Sequence, residues 1–150
     1  MIIKKLASVA ISAIIIAGGL FAFDWPQNET EANSFFSYFG QLRGGRIGSS
    51  LIFKDNSEIK AAEEGTVAIV ITEHNNDFGW FESPLGNAVI VAHANGLQTV
   101  YGNLDDEALP TGTDQNIKAG TYLGQSGNSG WQEGQSCLEF KVLDTKNKAV

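Results

Sequence analysis

The chain is poor in several residue types, and each shortage excludes something. It has 150 residues but one cysteine, so no internal disulfide can form. Cys137 alone reads as a small, buried hydrophobe. Basic residues are few: 10 Lys and Arg against 17 Asp and Glu give a net charge of -7 and a pI near 4.7. An acidic chain without a basic cluster does not suit nucleic acid, whose phosphates require grouped Lys and Arg. Beyond residue 23 there is no long segment with apolar residues at i, i+3, i+4 and i+7, which removes the signal for amphipathic helices. Prolines number 3 and glycines 17, a balance that points to many tight turns and an all-β domain. The hydrophobic fraction of 43% is enough for a core.

The exception to the missing helix is the N-terminus. Lys4 and Lys5 precede an uncharged apolar run from Leu6 to Phe23, and Asp24, Trp25 and Pro26 end it. A basic start, an apolar run and small residues near Ala22 predict a leader helix acting as a cleaved export signal. The run is also long enough for an uncleaved membrane anchor. No cysteine follows it, which argues against lipid attachment. Both readings export the remainder to the periplasm or cell envelope, and membrane contact is expected only through this segment. The predicted organisation is 1–23 signal or anchor, 24–45 a polar and aromatic lead-in, and 46–150 a β domain. Within the lead-in, Phe35, Phe36, Tyr38 and Phe39 suit a domain edge, and Thr30, Glu31, Asn33 and Ser34 allow a short helical turn before them.

From Ile47 the text alternates strand and turn. Strands are predicted at Ser50–Lys54, briefly after Glu58, at Thr66–Thr72, Asn87–Ala94, Leu97–Leu104 and Ser136–Asp144. Asn95–Gly96 is a strong hairpin signal. Asn75–Gly86 and the acidic stretch after Leu104 read as loops. "IKAAEEGTV" (59–67) and "IKAGTYLG" (117–124) echo each other, either by chance or as two related half-motifs. "GQSGNSG" (124–130) lacks a lysine and opens no helix, so it is not a phosphate cradle. The aromatics of Gly79–Phe81 and Trp131 read either as a groove lining or as plugs on the sandwich edge.

"IKAAEEGTVAIV", "GNAVIVAHANGLQTVYGNL", "IKAGTYLGQSGNSG" and "CLEFKV" together resemble, in order and spacing, the LytM/lysostaphin-type peptidoglycan endopeptidases. The likeness runs from about Gly45 to Val142; family members usually continue somewhat past the position of Val150. It implies an antiparallel β-sandwich of two similar half-motifs. In active members it also implies zinc held by an HxxxD pair and the second His of HxH, with the first His of HxH and the His of Tyr-x-His-Leu assisting the attacking water. Here HxxxD falls on "RIGSS", so Arg46 and Ser50 stand at the ligand positions. Tyr-x-His-Leu falls on "YGNL", where Tyr101 and Leu104 match and Asn103 replaces the His. HxH falls on "CLEF", which puts Cys137 and Glu139 in the two His positions.

Arg46 is a permanent cation and cannot ligate zinc. Ser50 and Asn103 are poor ligands, which leaves Cys137 and Glu139, fewer than such a site uses. No catalytic residue, metal or other cofactor is therefore expected. The expected binding cleft is Arg46, Ser50, Tyr101, Asn103, Cys137 and Glu139. Arg46 and Glu139 either face each other across the cleft in place of metal and ligand, or are unrelated surface charges. The resemblance makes His93 a structural residue at a hairpin end; His74 is expected at the surface, and the two do not suggest another zinc site. The expected function is a non-catalytic envelope domain that binds peptidoglycan or regulates a cell-wall hydrolase. The alternatives are an active endopeptidase with altered ligands and a structural module that contacts another envelope protein.

Overall fold

The computed structural model describes residues 23–28, 34–54, 58–72, 84–105, 112–130 and 136–150. The leader up to Ala22, residues Thr30, Glu31 and Asn33 of the suggested helical turn, His74, Gly79–Phe81 and Trp131 lie outside the described residues. Eleven strands make up the described part: β1 (Phe35–Ser37), β2 (Leu42–Arg43), β3 (Arg46–Ile47), β4 (Leu51–Lys54), β5 (Glu58–Lys60), β6 (Gly65–Ile71), β7 (Asn87–Ala92), β8 (Gln98–Leu104), β9 (Asn116–Ile117), β10 (Tyr122–Gln125) and β11 (Cys137–Leu143). The fold is all-β and antiparallel, as the glycine-rich, helix-poor sequence predicts.

Seven strands form one sheet in the order β1-β4-β11-β8-β7-β6-β9, while β10 pairs with β5 and β2 with β3. The apolar face of the large sheet packs on the β5/β10 ribbon. Phe53, Val67, Val89, Val91, Tyr101, Leu138 and Phe140 meet Ile59 and Leu123 in one core. Successive strand residues point to opposite faces. In β11 that sends Leu138 and Phe140 into the core and leaves Cys137, Glu139 and Lys141 on the other face.

The echoed segments answer each other in space. Gly65, after the first Ile-Lys-Ala, pairs with Ile117 of the second; Gly124, after the second, pairs with Ile59 of the first. This reciprocal exchange favours the half-motif reading over chance. Gly65 is needed for the close approach, since a Cβ there would stand 2.9 Å from His93 Nδ1 and press on the Ala92 carbonyl. The β7–β8 hairpin is slightly wider than a two-residue turn. Its strands stop at Ala92 and resume at Gln98, His93 N–H donates to the Leu97 carbonyl at 3.0 Å, and Gly96 takes φ 80°. A left-handed residue after a type I turn suits glycine.

His93 is structural, at one end of a buried chain of hydrogen bonds. Its Nδ1 lies 2.7 Å from the Glu64 carbonyl oxygen, which only accepts, so Nδ1 carries the proton. In the neutral ring Nε2 accepts from the Thr99 hydroxyl at 2.8 Å. Thr99 Oγ1 lies 3.1 Å from Tyr101 Oη, which accepts from Ala62 N–H at 2.8 Å. Burial pushes the Tyr101 phenol above its ordinary value. An unfolded phenol ionises near about pH 10, so the unfolded chain loses this proton first. The stability is present below that pH and lost as pH rises toward the folded value. Tyr101→Phe is expected to remove this alkaline loss while costing about 1–2 kcal/mol at neutral pH, because Ala62 N–H loses its acceptor. Melting temperatures followed into alkali check this, and equal alkaline slopes in the two proteins would contradict it.

Candidate functional site

The face of the sheet turned away from the core carries part of the set that the sequence assigns to a cleft, with Ser50, Cys137 and Glu139 among them. Ser50, just before β4, and Glu139 of β11 are both buried, and Ser50 Oγ donates to Glu139 Oε1 at 3.0 Å. Register explains the meeting: Glu139 sits opposite Ile52, and residues 50 and 52 share a face. On the other flank Glu139 sits opposite Gly102 of β8, and Leu85 lies over that glycine. The carboxylate has a cation. Lys141 Nζ stands 2.8 Å from the same Oε1, with the Glu139 side chain 7% exposed and the Lys141 side chain 22%.

Arg46 is not that cation. It lies exposed in β3, in the separate β2/β3 hairpin, and is not brought to Glu139. Neither of the two readings left open in the sequence holds whole: Arg46 is an exposed charge away from Glu139, while Glu139 is buried and paired with Lys141. The period of two along β11 places Lys141 on the face of Glu139, and the short path along one strand wins over a reach from another element. That spacing is legible in "EFK" and was the missed signal. Arg46→Ala is accordingly expected to leave the melting temperature within about 1 °C of the parent, as for exposed side chains without a buried partner. A drop of several degrees in a thermal melt would restore the cross-cleft pair.

Tyr101 also differs from expectation. Its ring is fully buried on the core side, 5.4 Å from Phe140, so it supports the site from behind rather than lining it. Asn103 is fully buried and has φ 64°. Asparagine tolerates this left-handed backbone better than most residues. Its amide nitrogen donates to the carbonyl oxygens of Gly127 at 2.6 Å and Cys137 at 2.8 Å, and lies 3.1 Å from Cys137 Sγ. Its Oδ1 accepts from Gly130 N–H at 2.7 Å. One side chain thus ties β8, the 127–130 loop and the start of β11. The same loop is locked by Ser129, whose Oγ donates to the Leu104 carbonyl at 2.6 Å and accepts from Asn87 N–H at 2.9 Å. "GQSGNSG" is therefore a fastener between strands.

Two clusters result, Ser50–Glu139–Lys141 and Asn103–Cys137, side by side on β11. Among the described residues no three His, Cys, Asp or Glu side chains gather where they could hold a metal ion.

Residues 46–150 match the profile of peptidase family M23. An uncharacterized protein of Treponema pallidum (strain Nichols) is 33% identical over 133 residues, covering 82% of this chain and 88% of that protein. Among solved structures, a zinc-containing peptidase from Vibrio cholerae superposes with TM-score 0.64 at 20% identity over 86% of this chain; the match spans 38% of that peptidase's length. A mutant catalytic domain of the prophage-encoded M23 protein EnpA from Enterococcus faecalis gives TM-score 0.65 at 20% identity, covering 83% of this chain and 93% of that one.

Proposed function

The chain belongs to peptidase family M23, and from that premise we propose that it is a non-catalytic member, exported to the cell envelope, that binds peptidoglycan through the β4/β11/β8 face. The observation that carries this reading is how the five replaced positions are used. Zinc in such sites takes three or four neutral or anionic ligands. Arg46 is a cation directed to solvent, the Asn103 amide is committed to three backbone groups, and Ser50 donates to Glu139. Cys137 and Glu139 remain, and Lys141 already neutralises Glu139. This donor set does not fit zinc, so no hydrolytic step is derived through it.

The Ser50–Glu139–Lys141 cluster offers a largely buried carboxylate and an ammonium whose side chain is 22% exposed. These are groups that hydrogen-bond amide, hydroxyl and carboxylate functions of a cell-wall peptide or glycan. The experiment is metal analysis of the purified protein together with pelleting on cell-wall sacculi. The expected result is pelleting without muropeptide release and zinc far below one per chain. Stoichiometric zinc with muropeptide release would establish the altered-ligand endopeptidase instead. Absence from the sacculus pellet, with capture of a cell-wall hydrolase, would move the target from the wall to a regulated enzyme.

A further inference from the structure

We propose that the corner formed by Trp25, Phe36, Tyr38, Phe39 and the β2/β3 hairpin docks on an anionic lipid surface. Among the described residues nine large apolar side chains are exposed, and six of them fall within residues 25–47, so they form a patch rather than a scatter. The outermost are Leu42 and Ile47, 69% and 75% exposed, which stand opposite each other across the hairpin. Tyr38 stacks on Phe35 at 4.9 Å, and Trp25 meets Phe35 edge-on at 5.8 Å, so Trp25 and Tyr38 share one aromatic cluster around Phe35. The hairpin joins it through Gly40 N–H to the Gly48 carbonyl and Gln41 N–H to the Tyr38 carbonyl.

Three observations favour lipid over other occupants. The uncharged apolar run Leu6–Phe23 ends two residues before Trp25 in sequence, so the patch directly follows the stretch of chain most suited to hydrocarbon. Trp and Tyr with one apolar side and one polar tip are the residues of membrane interfaces. Finally, residues 34–54 contain Arg43, Arg46 and Lys54 and no carboxylate, in a chain whose net charge is -7. Lys54 Nζ lies 5.5 Å from the Phe36 ring centroid, a cation beside an apolar ring. Local positive charge with exposed aliphatic and aromatic groups suits anionic headgroups over an acyl boundary. A glycan would use the aromatic rings but has no use for Leu42 and Ile47. A second copy in a two-fold contact would bring two like-charged patches together.

The test uses the full chain in vesicles. An environment-sensitive dye is placed on Ile47→Cys, with Cys137 buried and unreactive. A parallel protein carries it on Lys118→Cys, which is exposed after β9 at the opposite edge of the sheet. In phosphatidylethanolamine with phosphatidylglycerol, a bilayer-borne quencher is expected to quench the dye at 47 and not at 118. The difference should shrink in high salt, with Arg46→Glu, and in phosphatidylcholine alone. Leu42→Ser should abolish it. Equal quenching at the two positions overturns the proposal. So does a dye at 47 that responds to sacculi or to protein concentration but not to vesicles, which would assign the patch to glycan or to a second copy. Neither result bears on the β4/β11/β8 face, whose pelleting assay stands independently.

Discussion

Asn103→Ala is expected to destabilise the domain by about 4 kcal/mol, from two additive sources. Alanine at φ 64° carries a left-handed backbone penalty of about 1 kcal/mol. The Gly127 and Cys137 carbonyls and the Gly130 N–H also lose a buried partner, at roughly 1 kcal/mol or more each. Against a total stability of about 5–15 kcal/mol this is a large fraction, and it should appear as a fall in melting temperature on the order of 15 °C. Two further variants separate the sources. Asn103→Gly adopts the backbone freely but makes no side-chain bonds, so it should recover only the smaller part. Asn103→Asp keeps the left-handed tolerance and one acceptor for Gly130 N–H. It also turns an oxygen toward two carbonyl oxygens, so it should remain well below the parent. If Asn103→Gly melts near the parent, the hydrogen-bond account is wrong and backbone conformation alone explains the residue.

That result would also explain what "YGNL" could and could not convey as sequence. The resemblance aligns Asn103 with an assisting histidine, and a reader comparing letters sees a lost catalytic group. The structure adds a gained function for the replacement, a tie between three segments, which depends on a backbone angle and on partners 24 and 34 residues away. Neither is visible in one sequence. The strands were more legible because they rest on local chemistry: Val and Ile in β6 and β7, Asn95–Gly96 between β7 and β8, and alternation in β11. The half-motif echo was left open in sequence because eight similar residues recur easily. Only the reciprocal pairings Gly65 with Ile117 and Gly124 with Ile59 decide it. Tyr101 was assigned to the cleft by its motif, yet strand parity with Thr99 and the core side of β8 sends it the other way. The Arg46–Glu139 pairing rested on alignment columns, which carry no distances.

The second large effect concerns Lys141. Lys141→Met is expected to cost about 2 kcal/mol, because it removes the ammonium that stands 2.8 Å from the Glu139 carboxylate on a buried face. Removing one member of a fully buried pair costs about 3–5 kcal/mol; the 22% exposure of the Lys141 side chain lets water reach the carboxylate and lowers the figure. Glu139→Gln in the same chain should return most of the loss, since a neutral amide needs no counter-charge and its oxygen still accepts from Ser50 Oγ. The double-mutant cycle from denaturant melts is the measurement, and the interaction energy should exceed about 1 kcal/mol. Additive single effects would mean that the 2.8 Å contact carries no net coupling. A coupled pair has a consequence for the family position it occupies. Glu139→His would put an aromatic base beside Lys141 and break the pair. Glu139 and Lys141 therefore depend on one another, and Glu139→His is expected to lower stability.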